Sequence, residues 1–220
     1  MSPKELQKLI EGGENLKVEF KQRFSTHLKI AKELIAFANT AGGDLIIGVD
    51  DDRSLYGVLS EKGEAELIRE TVADYCEPQI EFNIEFIELF GKEIVVVKVP
   101  ESENKPHRIN DYKTLLDLNT AEVFIRVSDK SVPASKEMIK ILQAGTKSAP
   151  LTKYNFGKTE EIVFDMLRNQ ESVTVKELSE HANISRRRSS RTLIKLVRIN
   201  LLNIHTKDNG EDYFTSTEEL

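Results

Sequence analysis

The chain has 220 residues, with 31 Lys and Arg against 37 Asp and Glu, a net charge of -6 and a hydrophobic fraction of 39%. That balance fits a water-facing globular protein long enough for one large core or two small ones, and it lacks the positive excess of a generic nucleic-acid binder. Cys76 is the single cysteine, so a disulfide framework and a paired-cysteine metal site are excluded. No apolar run reaches the ~20 residues of a membrane span, and the polar opening MSPKELQK is unlike a signal peptide; the expected location is the cytoplasm.

Ser2-Pro3-Lys4-Glu5 reads as a capping box with proline in the first turn, opening a helix that runs to Glu11 and stops at Gly12-Gly13. Leu16, Val18 and Phe20 then alternate with Lys17, Glu19 and Lys21 as a strand with one apolar and one charged face. A helix follows Ser25-Thr26, placing Leu28, Ala31, Leu34, Ile35 and Ala38 along one stripe to Asn39-Thr40. Gly42-Gly43 turns into the apolar strand Leu45-Ile46-Ile47, which delivers Asp50, Asp51 and Asp52 to a loop. Glu61 to Tyr75 is a helix with Leu67, Ile68 and Val72 inward. Ile80 to Phe86 reads as a half-exposed strand turned at Gly91-Lys92 into the run Ile94 to Val99, an antiparallel hairpin. Residues 100 to 119 read as an exposed loop, with a basic stretch at Lys105, His107 and Arg108. Glu122 to Val127 is a strand, and Ser135 to Gln143 a helix. Together these define an α+β domain with a mixed sheet over residues 1–146.

The stretch 147–157 has linker composition, and a second domain is expected over 158–220. Thr159 to Asn169 is a helix with Ile162, Val163, Met166 and Leu167 inward. Thr174-Val175-Lys176-Glu177 is a capping box, Asn183-Ile184 a tight turn with Ile184 buried, and Ser185 starts a longer helix. Leu201 to Thr206 and Asp212 to Thr215, separated by Asp208-Asn209-Gly210, form a hairpin. Three helices, a short turn before the third and a terminal hairpin describe a small winged helix-turn-helix domain.

Residues 14–51 hold the first candidate site. Glu14, Glu19, Lys21, Asp50 and Asp51 sit at adjacent strand ends, where carboxylates can converge on a divalent metal that activates water for phosphodiester hydrolysis. Glu19 and Lys21, two apart on one strand, share a face. The structural alternative is a turn at Glu14, a surface ion pair between Glu19 and Lys21, and a turn at Asp50-Asp51. The glycine run AGGDLIIG has no following GxxxxGK and no lysine placed for a phosphate, which argues against ATP. The four histidines are dispersed without metal-ligand spacing.

Glu14 with Val18-Glu19-Phe20-Lys21, then Ala36-Phe37-Ala38-Asn39-Thr40, Gly42-Gly43, Gly48-Val49-Asp50-Asp51, Phe124-Ile125-Arg126-Val127 and Pro133-Ala134-Ser135 carry a resemblance. In this order they resemble the Schlafen/AlbA-type domain, a family also known under the label of a divergent AAA ATP-binding domain, over roughly residues 1 to 145. The resemblance implies a fold shared by DNA-binding regulators, proteins of no known activity and endoribonucleases. In the ribonucleases two glutamates spaced like Glu14 and Glu19 and an aspartate, here Asp50 or Asp51, are the catalytic acids, with Mg or Mn as the metal they would hold. Those enzymes build a groove from two related lobes, whereas this chain has one copy, and it lacks the cysteines of the animal Schlafens' zinc elements.

The second candidate is the helix from Ser185. Residues 1–150 carry 20 basic and 26 acidic groups, and residues 151–220 carry 11 of each, yet six basic residues lie within 186–198 with no acid among them. Local charge governs phosphate binding. Ser185, Arg186, Arg187, Arg188, Ser189, Arg191 and Lys195 are the expected nucleic-acid contacts, with Leu193, Leu196 and Val197 packed beneath. Asp208, Glu211 and Asp212 on the hairpin would oppose a phosphate backbone. The sequence therefore reads as a DNA-binding protein, a transcriptional regulator acting as a homodimer. A metal-dependent endoribonuclease acting on RNA and a protein-interaction scaffold are the alternatives; no firm cofactor and no membrane partner are expected.

Overall fold

A computed structural model describes residues 1–147 and 157–217, and the chain divides into two compact units, Met1–Pro133 and Ala134–Leu220. In the first unit, helix α1 (Pro3–Gly12) leads to strand β1 (Val18–Lys21), helix α2 (His27–Asn39) and strand β2 (Gly43–Ile47). Helix α3 (Glu61–Tyr75) is followed by β3 (Cys76–Glu77), β4 (Asn83–Leu89), β5 (Lys92–Val99), β6 (Arg108–Ile109), β7 (Phe124–Val127) and β8 (Lys130–Pro133).

The main sheet has the order β1-β2-β5-β4, with β1 parallel to β2 and the other pairs antiparallel. This is the mixed sheet of an α+β domain. The central runs of its two inner strands, residues 45–47 and 94–97, are apolar because both faces are covered there. Leu45 and Ile47 of β2 with Val95, Val97 and Val99 of β5 meet the α2–α3 side. Ile46, Ile94 and Val96 point the other way, onto Leu6 and Ile10 of α1. Gly43 sits where α2 and β1 close in: a Cβ there would lie 2.2 Å from Phe37 Cδ1 and 2.8 Å from the Lys17 carbonyl. Gly42 adopts φ +69°, the left-handed turn that glycine tolerates without strain. The glycine pair thus has a steric role in the α2–β2 connection.

Several details differ from the sequence reading. Leu28, assigned to the buried stripe of α2, is exposed, while Ile30, Ala36, Phe37 and Asn39 are buried. The reason is that α2 packs on more than the sheet: β7 contacts its C-terminal half, so little of that half meets solvent. The edge strand begins at Asn83 rather than Ile80, although Ile80 still packs into the core. Residues 100–119 are not a plain exposed loop. Within them β6 pairs with β3, and His107 and Arg108 are buried rather than solvated. His107 is held between the Pro78 carbonyl (2.8 Å) and Ser102 Oγ (2.7 Å).

Asn39, the last residue of α2, pins this arrangement. Its side-chain amide donates to the carbonyls of His107 (2.8 Å) and Phe124 (3.0 Å) and its oxygen accepts from the His107 N–H (2.8 Å). Three backbone groups are thereby satisfied away from water.

The second unit, described over 134–147 and 157–217, comprises α4 (Lys136–Lys147), α5 (Lys158–Asn169), α6 (Val175–His181), α7 (Arg186–Arg198), β9 (Leu202–Thr206) and β10 (Asp212–Ser216). α4 falls in this unit, where it packs on α7, so the division comes ahead of the expected limit at 146. Most of the expected linker, residues 148–156, lies outside the described residues. Ser185, Thr174 and Ser135 each accept a first-turn N–H. Val163, Leu178, Leu193, Leu196 and Phe214 form the core, with Ile184 only partly covered. Val173 exchanges both backbone hydrogen bonds with Phe214 at 2.9 Å, adding a short third segment beside the β9–β10 hairpin.

Replacing Asn39 with alanine should strand three buried backbone groups and lower stability by about 2–4 kcal/mol. Urea denaturation of the purified protein measures this, and a loss within about 0.5 kcal/mol would show that water replaces the amide.

Candidate functional site

Glu19 and Lys21 project from the face of β1 opposite Val18 and Phe20. Glu19 is 7% exposed. Its Oε1 accepts from the Lys21 ammonium, and its Oε2 from the Arg126 guanidinium at 2.9 Å. Arg126 comes from β7 and is buried. It also donates to Glu33 Oε2 of α2 (3.0 Å), to Ser131 Oγ of β8 (3.2 Å) and to the Asn15 carbonyl (2.8 Å). Ser131 Oγ donates in turn to Glu33 Oε2 at 2.5 Å. The site is therefore an alternation of two carboxylates and two cations, with Glu19 and Arg126 buried and Lys21 and Glu33 half-buried, assembled from β1, α2, β7 and β8.

Glu14 lies beside it, its Oε1 accepting from the Phe20 N–H at 2.8 Å. Burial pushes the Glu14 carboxyl above its ordinary value, and the negative charges of Glu19 and Asp51 add to the rise. Glu33 is raised in the same way, first by burial and then by Glu19; the bridge to Arg126 does not reverse this, because that guanidinium is shared with Glu19. Burial works to lower the Lys21 ammonium, but its hydrogen bond to Glu19 and the charges of Glu19, Glu33 and Glu14 together hold it above its usual value.

Asp50 and Asp51 behave differently. Asp50 Oδ1 accepts from the Asp51 N–H (3.0 Å), its carbonyl accepts from the Arg53 N–H (2.8 Å), and Asp52 Oδ1 caps the Ser54 N–H (2.8 Å). This is an acidic turn, with Asp51 exposed. Among the described residues, no three His, Cys, Asp or Glu side chains are placed to hold one metal ion. The set Glu14, Glu19, Asp50 and Asp51 does not fit a divalent cation, since both Glu19 oxygens are already engaged by cations.

Glu33, Arg126 and Ser131 were missing from the expected site. One signal was available: a charged residue, Arg126, inside the otherwise apolar strand Phe124-Ile125-Arg126-Val127. Buried charges of that kind need partners.

The second candidate surface lies on α7. Arg186, Arg187, Arg188, Arg191 and Lys195 are exposed, while Leu193 and Leu196 are in the core. Among the described residues no ion pair engages Arg186, Arg187, Arg188 or Arg191. Ser189, expected to face outward, is fully buried, its hydroxyl donating to the Ser185 carbonyl at 3.3 Å. Four residues before Leu193, it falls on the core side of the helix. Asp212, expected to oppose phosphate, is also turned inward. It accepts from the hydroxyls of Ser135 and of Thr206 (2.7 Å), and burial raises its carboxyl above the usual range.

The four-stranded sheet, covered on both faces and edged by a buried acid–arginine cluster, defines the first unit as an α+β domain of one recognisable kind. The chain belongs to the Schlafen, AlbA_2 family, which it matches over residues 14–135. It is similar to the N-terminal domain of a putative ATP-dependent DNA helicase RecG-related protein from Nitrosomonas europaea, at 26% identity over 53% of this chain and 84% of that one, with a TM-score of 0.42. It is also similar to the DIP2311 protein from Corynebacterium diphtheriae, at 15% identity over 91% of this chain and 34% of that one, with a TM-score of 0.46. Among the described residues no helix is long and apolar enough to cross a membrane.

The raised Glu33 carboxyl gives a pH prediction. Its folded pKa exceeds the unfolded value, so the folded state binds more protons in the window between them, and stability falls as pH rises through it. Glu33→Gln removes that loss. The stability of the variant relative to the parent should therefore increase from pH 4 toward pH 7, read as the difference in urea midpoint. A difference that stays flat across that range would mean Glu33 is not destabilised by its surroundings.

Proposed function

We propose that this protein binds nucleic acid, and that its second unit is a winged helix-turn-helix that lays α7 against duplex DNA. The observation that carries the reading is the division of α7 into two sides. One is locked into the core by Leu193 and Leu196, and the other presents Arg187, Arg188 and Arg191 without ion-pair partners among the described residues. Three helices followed by a hairpin, with Val173 bridged to Phe214, support the winged-helix assignment. Withdrawal of Asp212 from the surface removes one of the three acids that weighed against it.

Arginine forks can clasp phosphate or bridge guanine O6 and N7. A role in transcription follows naturally for such a protein, with the first unit supplying assembly or regulation. The endoribonuclease reading would need Glu19 released from both Arg126 and Lys21, and the site geometry does not favour it. Replacing Arg187, Arg188 and Arg191 together with glutamate should weaken duplex binding at ~100 mM salt by at least ~10-fold, because several phosphate contacts are lost. Fluorescence anisotropy measures it, and unchanged affinity would overturn the assignment of α7.

A homodimer completes the reading. One α7 offers few phosphate contacts, and two copies would double them and set a half-site spacing. β4 lies at the edge of the sheet, with Phe86 46% exposed and Phe90 74% exposed at its turn, a surface suited to self-pairing. Light scattering after size exclusion should give twice the monomer mass at micromolar concentration; a monomer with full DNA affinity would refute dimerisation.

A further inference from the structure

α4 packs along one flank of α7 and is absent from the three-helix pattern that the sequence of the second unit displays. Ser190 and Ile194, on that flank, are buried at 4% and 8% exposure although neither belongs to the unit's apolar core. Glu137 Oε1 accepts the Ser190 hydroxyl hydrogen bond at 2.7 Å, which ties α4 to α7 and turns that carboxylate toward the helix contact. Between the two helices runs a groove of about 670 Å³. Arg187, Arg191, Lys195 and Arg198 line it from α7, and Lys140 and Gln143 from α4. Ala144 and Ile194 form an apolar part of its lining, and among the described residues no carboxylate contributes to it.

We propose that α4 is the second wall of the nucleic-acid site, and that this groove seats the sugar–phosphate backbone of one DNA strand with Lys140 as a phosphate contact. The proposal rests on the DNA-binding reading given above and adds to it a helix outside the helix-turn-helix. The shape of the charge selects the ligand. Positions 187, 191, 195 and 198 follow one stripe of the helix for about 16 Å, at 1.5 Å per residue. A row of that length matches a linear polyanion, which carries one phosphate per ~3.4 Å of rise on each strand, better than a compact anion with a single phosphate. Lys140 is suited to the contact because its own acid is weakly held: it approaches Glu137 only at 4.0 Å, with 37% of its side chain exposed, and such pairs contribute little.

The test measures duplex affinity of the full chain by anisotropy across ~50–300 mM salt, where each phosphate contact contributes about 0.9 to the slope of log affinity against log salt. Lys140→Ala should reduce that slope by about 0.9 and weaken binding several-fold at ~100 mM. Ala144→Lys, adding a cation to the same wall, should increase the slope by a similar amount and tighten binding, a gain that misfolding cannot mimic. Lys62→Ala, on the exposed side of α3 in the first unit, should alter neither. If the parent binds duplex and loses it in the α7 glutamate variant, yet both α4 variants behave as the parent, the groove proposal fails and the DNA reading stands. If Lys62→Ala lowers the slope as much as Lys140→Ala, the effect is general charge and the groove proposal fails. If the parent binds no duplex, both fail together.

Discussion

The guanidinium of Arg126 is the constraint around which the first unit is arranged. Four groups from separate places in the chain take hydrogen bonds from it: Glu19 on β1, Glu33 on α2, Ser131 on β8 and the Asn15 carbonyl before β1. Its backbone N–H donates to Thr40 Oγ1 at the end of α2 (2.9 Å), and its charge lies 4.9 Å from the centre of the Phe37 ring. Removing one partner of a buried charged set leaves the others uncompensated, at a cost of about 3–5 kcal/mol. Each of these elements is therefore held in register by the same side chain. Among the described residues the β7–β8 hairpin pairs with no other strand, so this cluster, Asn39 and the packing of Phe124 against α2 hold it in place.

That arrangement also decides what the acids can do. A carboxylate that ligates a metal or activates water needs an accessible oxygen. Glu19 offers one oxygen to Lys21 and the other to Arg126, and Glu14 spends Oε1 on a backbone N–H. Glu33, raised by burial and by Glu19, shares its bridging cation instead of owning it. The two cations and two carboxylates come close to neutrality in a place where an isolated charge would be costly. Organisation of the fold accounts for the cluster, and it does so without calling on chemistry at Asp50 or Asp51, whose hydrogen bonds are those of a turn.

Much of the fold was legible in the sequence because local signals agreed with the tertiary outcome. The capping residues Ser2, Thr174 and Ser185, the glycine turn before β2 and the apolar runs of β2 and β5 each have a short-range cause. The helix Glu61–Tyr75 was placed to the residue. What escaped had long-range causes. Arg126 and Glu33 are 93 residues apart and His107 is held by a carbonyl 29 residues away, so neither partner could be inferred from spacing. Ser189 was assigned outward by its polarity, whereas its helical phase placed it inward and a backbone carbonyl four residues back absorbs its hydroxyl. Leu28 failed in the opposite sense, an apolar residue near the start of a helix that stays 42% exposed.

The same distinction explains why the net charge misleads for this chain. The negative excess lies entirely in residues 1–150, whereas residues 151–220 are balanced. Within the second unit three acids are engaged by bonding: Asp212 is buried under two hydroxyls, Glu137 accepts from Ser190, and Glu177 closes the cap of α6, while Glu211 stays exposed on the hairpin. Among the described residues Arg186, Arg187, Arg188 and Arg191 of α7 have no ion-pair partner, and the helix itself carries no acid. At an ionic strength where charges beyond about 8–10 Å are screened, the groups beside α7 rather than the chain's total charge set the potential at that face. An acidic protein can in this way present a locally basic surface, and what sets the potential there is the pairing of each carboxylate rather than their number.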